Sequence, residues 1–369
     1  MLAKLMSDNG TSVSLIIPTY NERDNIHELL ERIQRSMEPL GYPFEVLVVD
    51  DDSPNETRKV ASQFSDSYPV RVLRRKGKRG LATAVLEGIQ ASNYDIIVVM
   101  GADLQHPPET IPELLSEVTD GTDIAIGSRN VDAGALAKFN FFGRIVSRGA
   151  DLLARTLFRQ IRDIRDIDSG FFAFHKDVIA HANLNPVGDK ILLEILVQGD
   201  YATVSEIAYR FDKQGGGLRT QGVNTAPNYL RHVSSLFSRS GEFHRFLRFC
   251  AVGSVGAAVN LVVLYSLTES GVFYLLSGFI GIEAAVLLNF VLNRSWTFKD
   301  RGARGTRSVL TALYRDHAVR FVGIVLDLVI LWILTSFVGL YYLLSQVIGI
   351  AVAMVWNYGG NQWWTWEPP

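Results

Sequence analysis

Asp103 and Gln105 stand just beyond an apolar run, Ile96-Ile97-Val98-Val99-Met100, in the segment Gly101-Ala102-Asp103-Leu104-Gln105-His106-Pro107-Pro108. A carboxylate and an amide oxygen two residues apart can grip a hard divalent cation, and such a cation can hold a diphosphate. That chemistry is well placed if the run is a strand of an open α/β sheet, because ligands there bind beyond the carboxyl ends of the strands. The same segment also reads as a turn into a helix, since Pro107 and Pro108 suit a first helical turn. A second cluster, Asp50-Asp51-Asp52, follows another apolar run. Three adjacent acids repel one another unless a partner is supplied by sugar hydroxyls, a base edge or a cation; capping a helix needs only one of them. Arg74, Arg75, Lys76, Lys78 and Arg79 form a basic loop. Such a run is a solvated face or, beside an acid-rich site, a phosphate contact.

The elements that must hold these clusters alternate regularly. Ser12–Thr19 reads as a buried strand, followed by a loop at Tyr20-Asn21-Glu22 and a helix from Asn25 to about Met37, with Ile26, Leu29, Leu30 and Ile33 at helical spacing. Phe44–Val49 is a second strand, residues 56–65 a helix, Val70–Arg74 a third strand, residues 81–91 a helix, and 95–100 the strand before Asp103. This alternation predicts βαβ units and a parallel sheet. The polar clusters then converge on the carboxyl edge of one sheet.

The chain has 369 residues and a net charge of -2, so nothing points to nucleic acid. Its single cysteine, Cys250, excludes an internal disulfide and any cysteine-based metal cluster. From about Phe246 onward long apolar runs dominate, and four stretches approach the roughly 20 apolar residues that cross a bilayer: Phe249–Leu267, Val272–Leu292, Phe321–Phe337 and Tyr341–Asn361. The connection between the second and third is basic, with Arg294, Lys299, Arg301, Arg304, Arg307 and Arg315, and Arg245 and Arg248 flank the first. These charges predict a cytoplasmic placement for that connection, for the first half and for both termini. Met1 to Thr11 lacks an apolar core long enough for a signal peptide.

This apolar half repeats itself. Tyr274-Leu275-Leu276-Ser277 recurs as Tyr342-Leu343-Leu344-Ser345, and Asn289, Asn293, Trp296 and Thr297 recur as Asn357, Asn361, Trp364 and Thr365. Two helical hairpins in the same orientation are expected. Glu283 and Asp327 fall within the spans, with Asn260 or Asn289 as expected partners. Residues 226–248 mix Tyr229, Leu230, Val233, Leu236, Phe237, Phe243 and Phe246 with Arg231, Arg239, Arg245 and Arg248, the pattern of an interfacial amphipathic stretch. Three parts are therefore expected: residues 1–225, the interfacial 226–248, and a transmembrane 249–369.

Ile16-Ile17-Pro18-Thr19-Tyr20-Asn21-Glu22, Val48-Val49-Asp50-Asp51-Asp52-Ser53-Pro54, Ala102-Asp103-Leu104-Gln105-His106-Pro107-Pro108-Glu109, Gly127-Ser128-Arg129 and Asp168-Ser169-Gly170-Phe171-Phe172 resemble the family 2 glycosyltransferases. More narrowly they resemble dolichol-phosphate mannosyltransferases, also called polyprenol monophosphomannose synthases. The paired hairpins resemble the GtrA-like membrane domain of some prokaryotic members. The resemblance implies an α/β GT-A catalytic domain followed by an all-α four-helix transmembrane domain. It implies inverting transfer of mannose from GDP-mannose to a polyprenyl or dolichyl phosphate at the membrane, with Mg2+ or Mn2+. Pro18, Tyr20, Glu22, Val49, Asp51, Gly101, Ala102, Asp103, Gln105 and Gln214 would then line the nucleotide-sugar site. Asp103 and Gln105 would hold the metal, and Arg129, Arg144 and Ser147 would meet the acceptor phosphate. Asp103, Arg129 and Lys213 or Arg219 would carry the catalytic charge.

Three departures from the family pattern stand out. The family has Asp-x-Asp where this chain has Gly101-Ala102-Asp103. An expected Arg, then Gly-x-Ser-Lys, is replaced by Phe211-Asp212-Lys213-Gln214-Gly215-Gly216-Gly217-Leu218-Arg219, and Arg144 stands one position from the usual acceptor arginine. Two other readings stay open: the same reaction with another donor such as UDP-glucose, or a weakly catalytic membrane protein that binds or translocates a lipid-linked sugar.

Overall fold

The computed structural model describes residues 11–65, 68–128, 152–186, 188–209, 225–301 and 306–366, which fall into two compact units. The first unit is built on one sheet of seven strands in the order β3-β2-β1-β4-β6-β5-β7. These are β1 (Val13–Thr19), β2 (Phe44–Asp50), β3 (Val70–Arg74), β4 (Ile96–Val99), β5 (Ile124–Ser128), β6 (Phe172–His175) and β7 (Val204–Ala208). β1 to β4 pair in parallel, as the alternation predicts. The expectation of an all-parallel sheet is corrected at β6, which runs antiparallel to both β4 and β5. The sheet is mixed, as in the GT-A fold.

Strands buried on both faces read as continuous apolar runs, and β1 is buried at all seven positions. On one face Val13, Leu15 and Ile17 join Ile26, Leu29, Leu30 and Ile33 of α1 (Arg23–Met37) and Leu114, Leu115 and Val118 of α4 (Ile111–Thr119) in a single core. On the other face α3 (Leu81–Ala91) crosses β1 at a glycine: a Cβ on Gly88 would stand 2.5 Å from Ile16 Cγ2. α2 (Thr57–Ser62) follows the acidic cluster.

At the amino ends of the strands, opposite the polar clusters, Glu45 joins three elements. It accepts from Ser14 Oγ (2.7 Å), Asn93 N (2.6 Å) and Arg71 Nη1 (2.7 Å). Burial pushes its carboxyl up, but these hydrogen bonds and the Arg71 charge more than offset that and hold it below the ordinary glutamate value. A carboxylate lowered in the fold stabilises it above its unfolded pKa, about 4.3, and that stability is lost as pH falls through the lowered value. Glu45→Gln protein is therefore expected to show a flatter decline of Tm between about pH 5 and 3 than wild type. Parallel Tm–pH curves for the two proteins would refute the linkage.

The second unit holds four helices long and apolar enough to cross a membrane. α7 (Gly241–Glu269) pairs with α8 (Tyr274–Leu292), and α9 (Thr306–Ser336) with α10 (Tyr342–Gly360). The stretch 226–248 divides at Ser240, whose extended backbone separates α6 (Thr225–Arg239) from α7. Helical residues 152–157 (α5) also belong to the second unit, although residues 160–236 return to the first.

The repeat is visible atom by atom. Each hairpin closes through two glycines that admit a polar side chain from the partner helix: Gly256 faces Asn289 and Gly281 faces Asn260, while Gly323 faces Asn357 and Gly349 faces Asp327. Small residues at helix crossings permit this close approach. α8 and α10 both end in a five-residue π turn, Asn293–Thr297 and Asn361–Thr365. Between the hairpins the repeat-equivalent aromatics exchange partners. Phe290 stacks on Trp366 at 5.1 Å and Phe298 packs against Tyr358 at 6.2 Å, the reciprocal pairing of two units about a two-fold axis. The partners expected for the two acids are corrected: Glu283 meets His317 (3.3 Å) and Asp327 accepts from Gln346 (3.0 Å), because Asn260 and Asn289 are turned into the glycine crossings.

Candidate active site

β2, β1 and β4 are neighbours, so the segments that follow them lie side by side at the carboxyl edge, spread over about 10 Å. Register fixes the alignment: Pro18 pairs with Val49, Thr19 with Asp50, and Ile16 with Val99. Each of the three exits contains a non-glycine residue in the left-handed region: Asn21 after β1 (φ 61°), Asp52 after β2 (φ 58°) and Leu104 after β4 (φ 58°). Leu carries a cost of about 1–2 kcal/mol there. Packing of Leu104 against the core holds it in place, and the bend lies between Asp103 and Gln105.

Each acid of the cluster has partners within the chain. Asp50 is fully buried, accepts from Thr19 Oγ1, Ser53 N and Ser53 Oγ, and pairs with Arg58 (3.2 Å). Asp52 pairs with Arg74 (2.7 Å). Asp51 takes one hydrogen bond from Gly80 N (2.8 Å) and a close ion pair from Arg75. Arg75, read from the sequence as part of a solvated or phosphate-facing loop, has a side chain only 2% exposed. It also donates to Thr83 Oγ1 (2.7 Å) and pairs with Glu87 (3.2 Å). The acids are thus ordered in advance, and the Asp51 backbone N–H donates to Thr19 O (3.0 Å), one residue before Tyr20. The Tyr20 ring is 37% exposed and carries the Arg79 guanidinium 4.7 Å from its centroid. Glu22 caps α1 with its carbonyl and holds Asn25 Nδ2 with its carboxylate (2.8 Å).

Beyond β4, Ala102 and Asp103 are buried, and Asp103 Oδ1 accepts from Gln105 N (3.3 Å). His106, passed over as a site residue in the sequence, organises this loop. Its Nδ1 accepts from Gly101 N (2.9 Å), its ring stacks on Phe171 (5.3 Å), and Tyr209 meets it edge-on (5.8 Å). A Cβ on Gly101 would stand 3.2 Å from both Asp103 Oδ1 and His106 Nδ1, and one on Gly170 would stand 3.2 Å from His106 Cε1. The glycines at 101 and 170 therefore leave the space that the imidazole fills. No local sequence signal marks this role, because it joins residues far apart in the chain.

Among the described residues no group of three or more His, Cys, Asp or Glu side chains gathers into a metal site. Asp103 and Gln105 supply two hard oxygen donors, a set that fits Mg2+ or Mn2+ when phosphate oxygens and water complete the shell. The structure brings together Pro18, Tyr20, Glu22, Val49, Asp51, Gly101, Ala102, Asp103 and Gln105 on one edge. Arg129, Arg144, Ser147, Lys213, Gln214 and Arg219 lie outside the described residues.

Residues 14–181 match the model of "Glycosyl transferase family 2", and residues 248–366 match "GtrA/DPMS, transmembrane domain". A dolichol-phosphate mannosyltransferase of Pyrococcus furiosus is 41% identical over 96% of this chain and 99% of its own length. A dolichol-phosphate mannosyltransferase of Saccharomyces cerevisiae is 32% identical over 61% of this chain and 86% of its own. A polyprenol monophosphomannose synthase of Mycolicibacterium smegmatis is 34% identical over 48% of this chain and 66% of its own.

Proposed function

The chain belongs to the dolichol-phosphate mannosyltransferases, glycosyltransferases of family 2 that here carry a GtrA/DPMS membrane domain, and from that premise we propose that it uses GDP-mannose and inverts the sugar. The family transfers a mannosyl group to a polyprenyl phosphate, and this chain is a membrane protein. The observation that carries the proposal is the alignment of Tyr20, Asp51 and Asp103 on three adjacent strand ends.

Tyr20 offers a ring face to the base, and Asp51, held by Arg75 and Gly80 N, offers a fixed acceptor to base or ribose N–H and O–H groups. Asp103 and Gln105 would hold Mg2+ or Mn2+, which would neutralise charge developing on the leaving diphosphate. Arg129, Arg144 and Ser147 bind the acceptor phosphate, and Lys213 or Arg219 adds positive charge. One acceptor oxygen bonds to the anomeric carbon as its bond to the diphosphate breaks, and the electron pair leaves with GDP. The acceptor is already an anion at neutral pH, so no strong general base is needed. A prenyl chain that stays in the bilayer requires the site to face the membrane, and the basic flanks of the spans favour the cytoplasmic side.

Purified full-length protein with Mn2+, GDP-mannose and a polyprenyl phosphate in detergent is expected to release GDP and form mannolipid in equal amounts. A preference for UDP-glucose in the same assay would overturn the donor assignment. Failure to bind any nucleotide sugar, with or without metal, would overturn the transferase reading and favour lipid-linked-sugar binding.

A further inference from the structure

The loop that carries Asp103 and Gln105 is held by side chains rather than by its own backbone. Met100 N donates to Ile16 O on β1 (3.2 Å), and Thr110 N donates to Pro107 O (3.1 Å). Between them, among the described residues, no backbone–backbone hydrogen bond ties residues 101–105. Leu104 in this stretch has φ 58°, a conformation that branched side chains resist, so the loop does not take this path by local preference. Two side-chain acceptors span it. Asp103 Oδ1 takes Gln105 N at 3.3 Å, a long contact made by the carboxylate proposed to hold the cation. His106 Nδ1 takes Gly101 N at 2.9 Å and closes the loop end to end. The imidazole is itself fixed from behind. It stacks on Phe171 (5.3 Å), and Phe171 is pinned to β5: its O accepts from Gly127 N (2.9 Å), its N donates to Ser169 Oγ (3.1 Å), and Ser169 Oγ donates to Gly127 O (2.6 Å). A Cβ on Gly127 would stand 2.8 Å from Phe171 Cδ1, so the aromatic ring lies directly across that glycine. Ser169 and Phe171 are both buried.

We propose that His106 is a positioning residue for the divalent cation, acting through the backbone of residues 101–105. The inference rests on the proposal that Asp103 and Gln105 hold that cation. Two protein donors are few for an ion that Mg2+-like chemistry surrounds with about six oxygens. Its affinity then depends on how little those two donors must be ordered when it binds. A loop that the cation had to freeze would lose binding free energy to its own ordering, and a loop frozen beforehand loses none. His106 supplies that order without being a ligand through the atom concerned, because Nδ1 is engaged by Gly101 N. Two features meet at Gly101. The position offers the cation no donor side chain, yet its N–H is the point at which His106 grips the loop.

Removing the acceptor and the ring separately tests this. In His106→Asn the amide oxygen takes the place of Nδ1 and the ring is lost. In His106→Phe a ring remains to stack on Phe171, but no atom accepts from Gly101 N. Full-length wild type and both variants are compared in detergent. Mn2+ affinity is read from the electron-spin-resonance signal of free Mn2+ in the presence of GDP or of UDP, GDP affinity is read in chelator, and Tm is read on each protein. His106→Phe is expected to weaken Mn2+ binding in the presence of GDP at least about ten-fold, with GDP affinity in chelator unchanged. His106→Asn is expected to lie closer to wild type than to His106→Phe. Wild-type Mn2+ affinity in His106→Phe would overturn the inference, and so would weaker Mn2+ binding in His106→Asn than in His106→Phe, which would give the ring a space-filling role only. Equal loss of Mn2+ binding and of GDP binding in chelator would overturn it as well. If Tm shows His106→Phe too unstable to titrate, His106→Asn decides alone: an affinity near wild type supports the inference and a loss of about ten-fold overturns it. Wild-type protein in which GDP and Mn2+ bind independently of each other would overturn the metal reading of Asp103 and Gln105 and the inference with it. Tighter Mn2+ binding with UDP than with GDP would overturn the donor assignment alone.

Discussion

Replacing Asp103 with Asn is expected to lower kcat for sugar transfer by about 10²–10³-fold. The size of the effect comes from Gly101: with no side chain at that position, Asp103 is the sole carboxylate between Gly101 and His106. An amide keeps the volume and the hydrogen bond from Gln105 N but removes the charge that would hold a divalent cation. Mn2+ titrations of GDP-mannose binding should show the loss directly. An Asp103→Asn protein that keeps more than about a tenth of wild-type turnover would remove Asp103 from the proposed chemistry. Gly101→Asp is the informative companion. Its Cβ would press on Asp103 Oδ1 and His106 Nδ1, each at 3.2 Å, so both must yield by a few tenths of an ångström. It also sets a second carboxylate beside the first. Without metal the pair repels, and with metal the pair shares it. The substitution is therefore expected to lower Tm in chelator and to recover or exceed wild-type Tm in Mn2+.

Arg75→Ala is expected to destabilise the catalytic half by about 3–5 kcal/mol. Asp51 and Arg75 are both buried, and removing the guanidinium leaves Asp51 with Gly80 N as its remaining donor. The same change strips Thr83 and Glu87 of a partner. At about 2–4 °C per kcal/mol for a unit of this size, Tm should fall by at least about 6 °C. GDP-mannose affinity should fall with it, because Asp51 loses its fixed position. Arg75→Lys should recover little, since one ammonium cannot reproduce the fork that reaches Asp51, Thr83 and Glu87 together. Intrinsic-fluorescence melting of the full chain in detergent reads the first effect, and donor titration at low temperature reads the second. A lysine variant indistinguishable from wild type in both would show that a point charge suffices.

Much of the site was legible because it depends on local rules. An apolar run, then an acid or a turn residue, marks a strand and its carboxyl end wherever it occurs, so Tyr20, Asp51 and Asp103 could be assigned to one edge from the sequence. The repeat was legible for the same reason. Asn289 and Asn357 recur because each must enter a glycine crossing of its own hairpin. Arg75 and His106 were not legible as organising residues. A basic loop is usually solvated, and only the return of α3 behind β2 buries Arg75 against Asp51. His106 depends on Gly170 and Phe171, which reach it because β6 inserts antiparallel beside β4. A four-residue strand carries no signal of its direction, so the insertion cannot be read from the run itself.

The sequence by itself determined which residue types stand at the strand ends, that four helices span a membrane and that they form two like hairpins. Those properties follow from hydrophobic period and turn chemistry, which act over a few residues. The tertiary structure alone decided that the acids pair with arginines of the same chain, that Glu283 pairs with His317, and that residues 152–159 belong with the membrane helices. Those outcomes are set by which surfaces meet, and a charge or a glycine at a helix crossing acquires its role only when its partner arrives from a distant part of the chain.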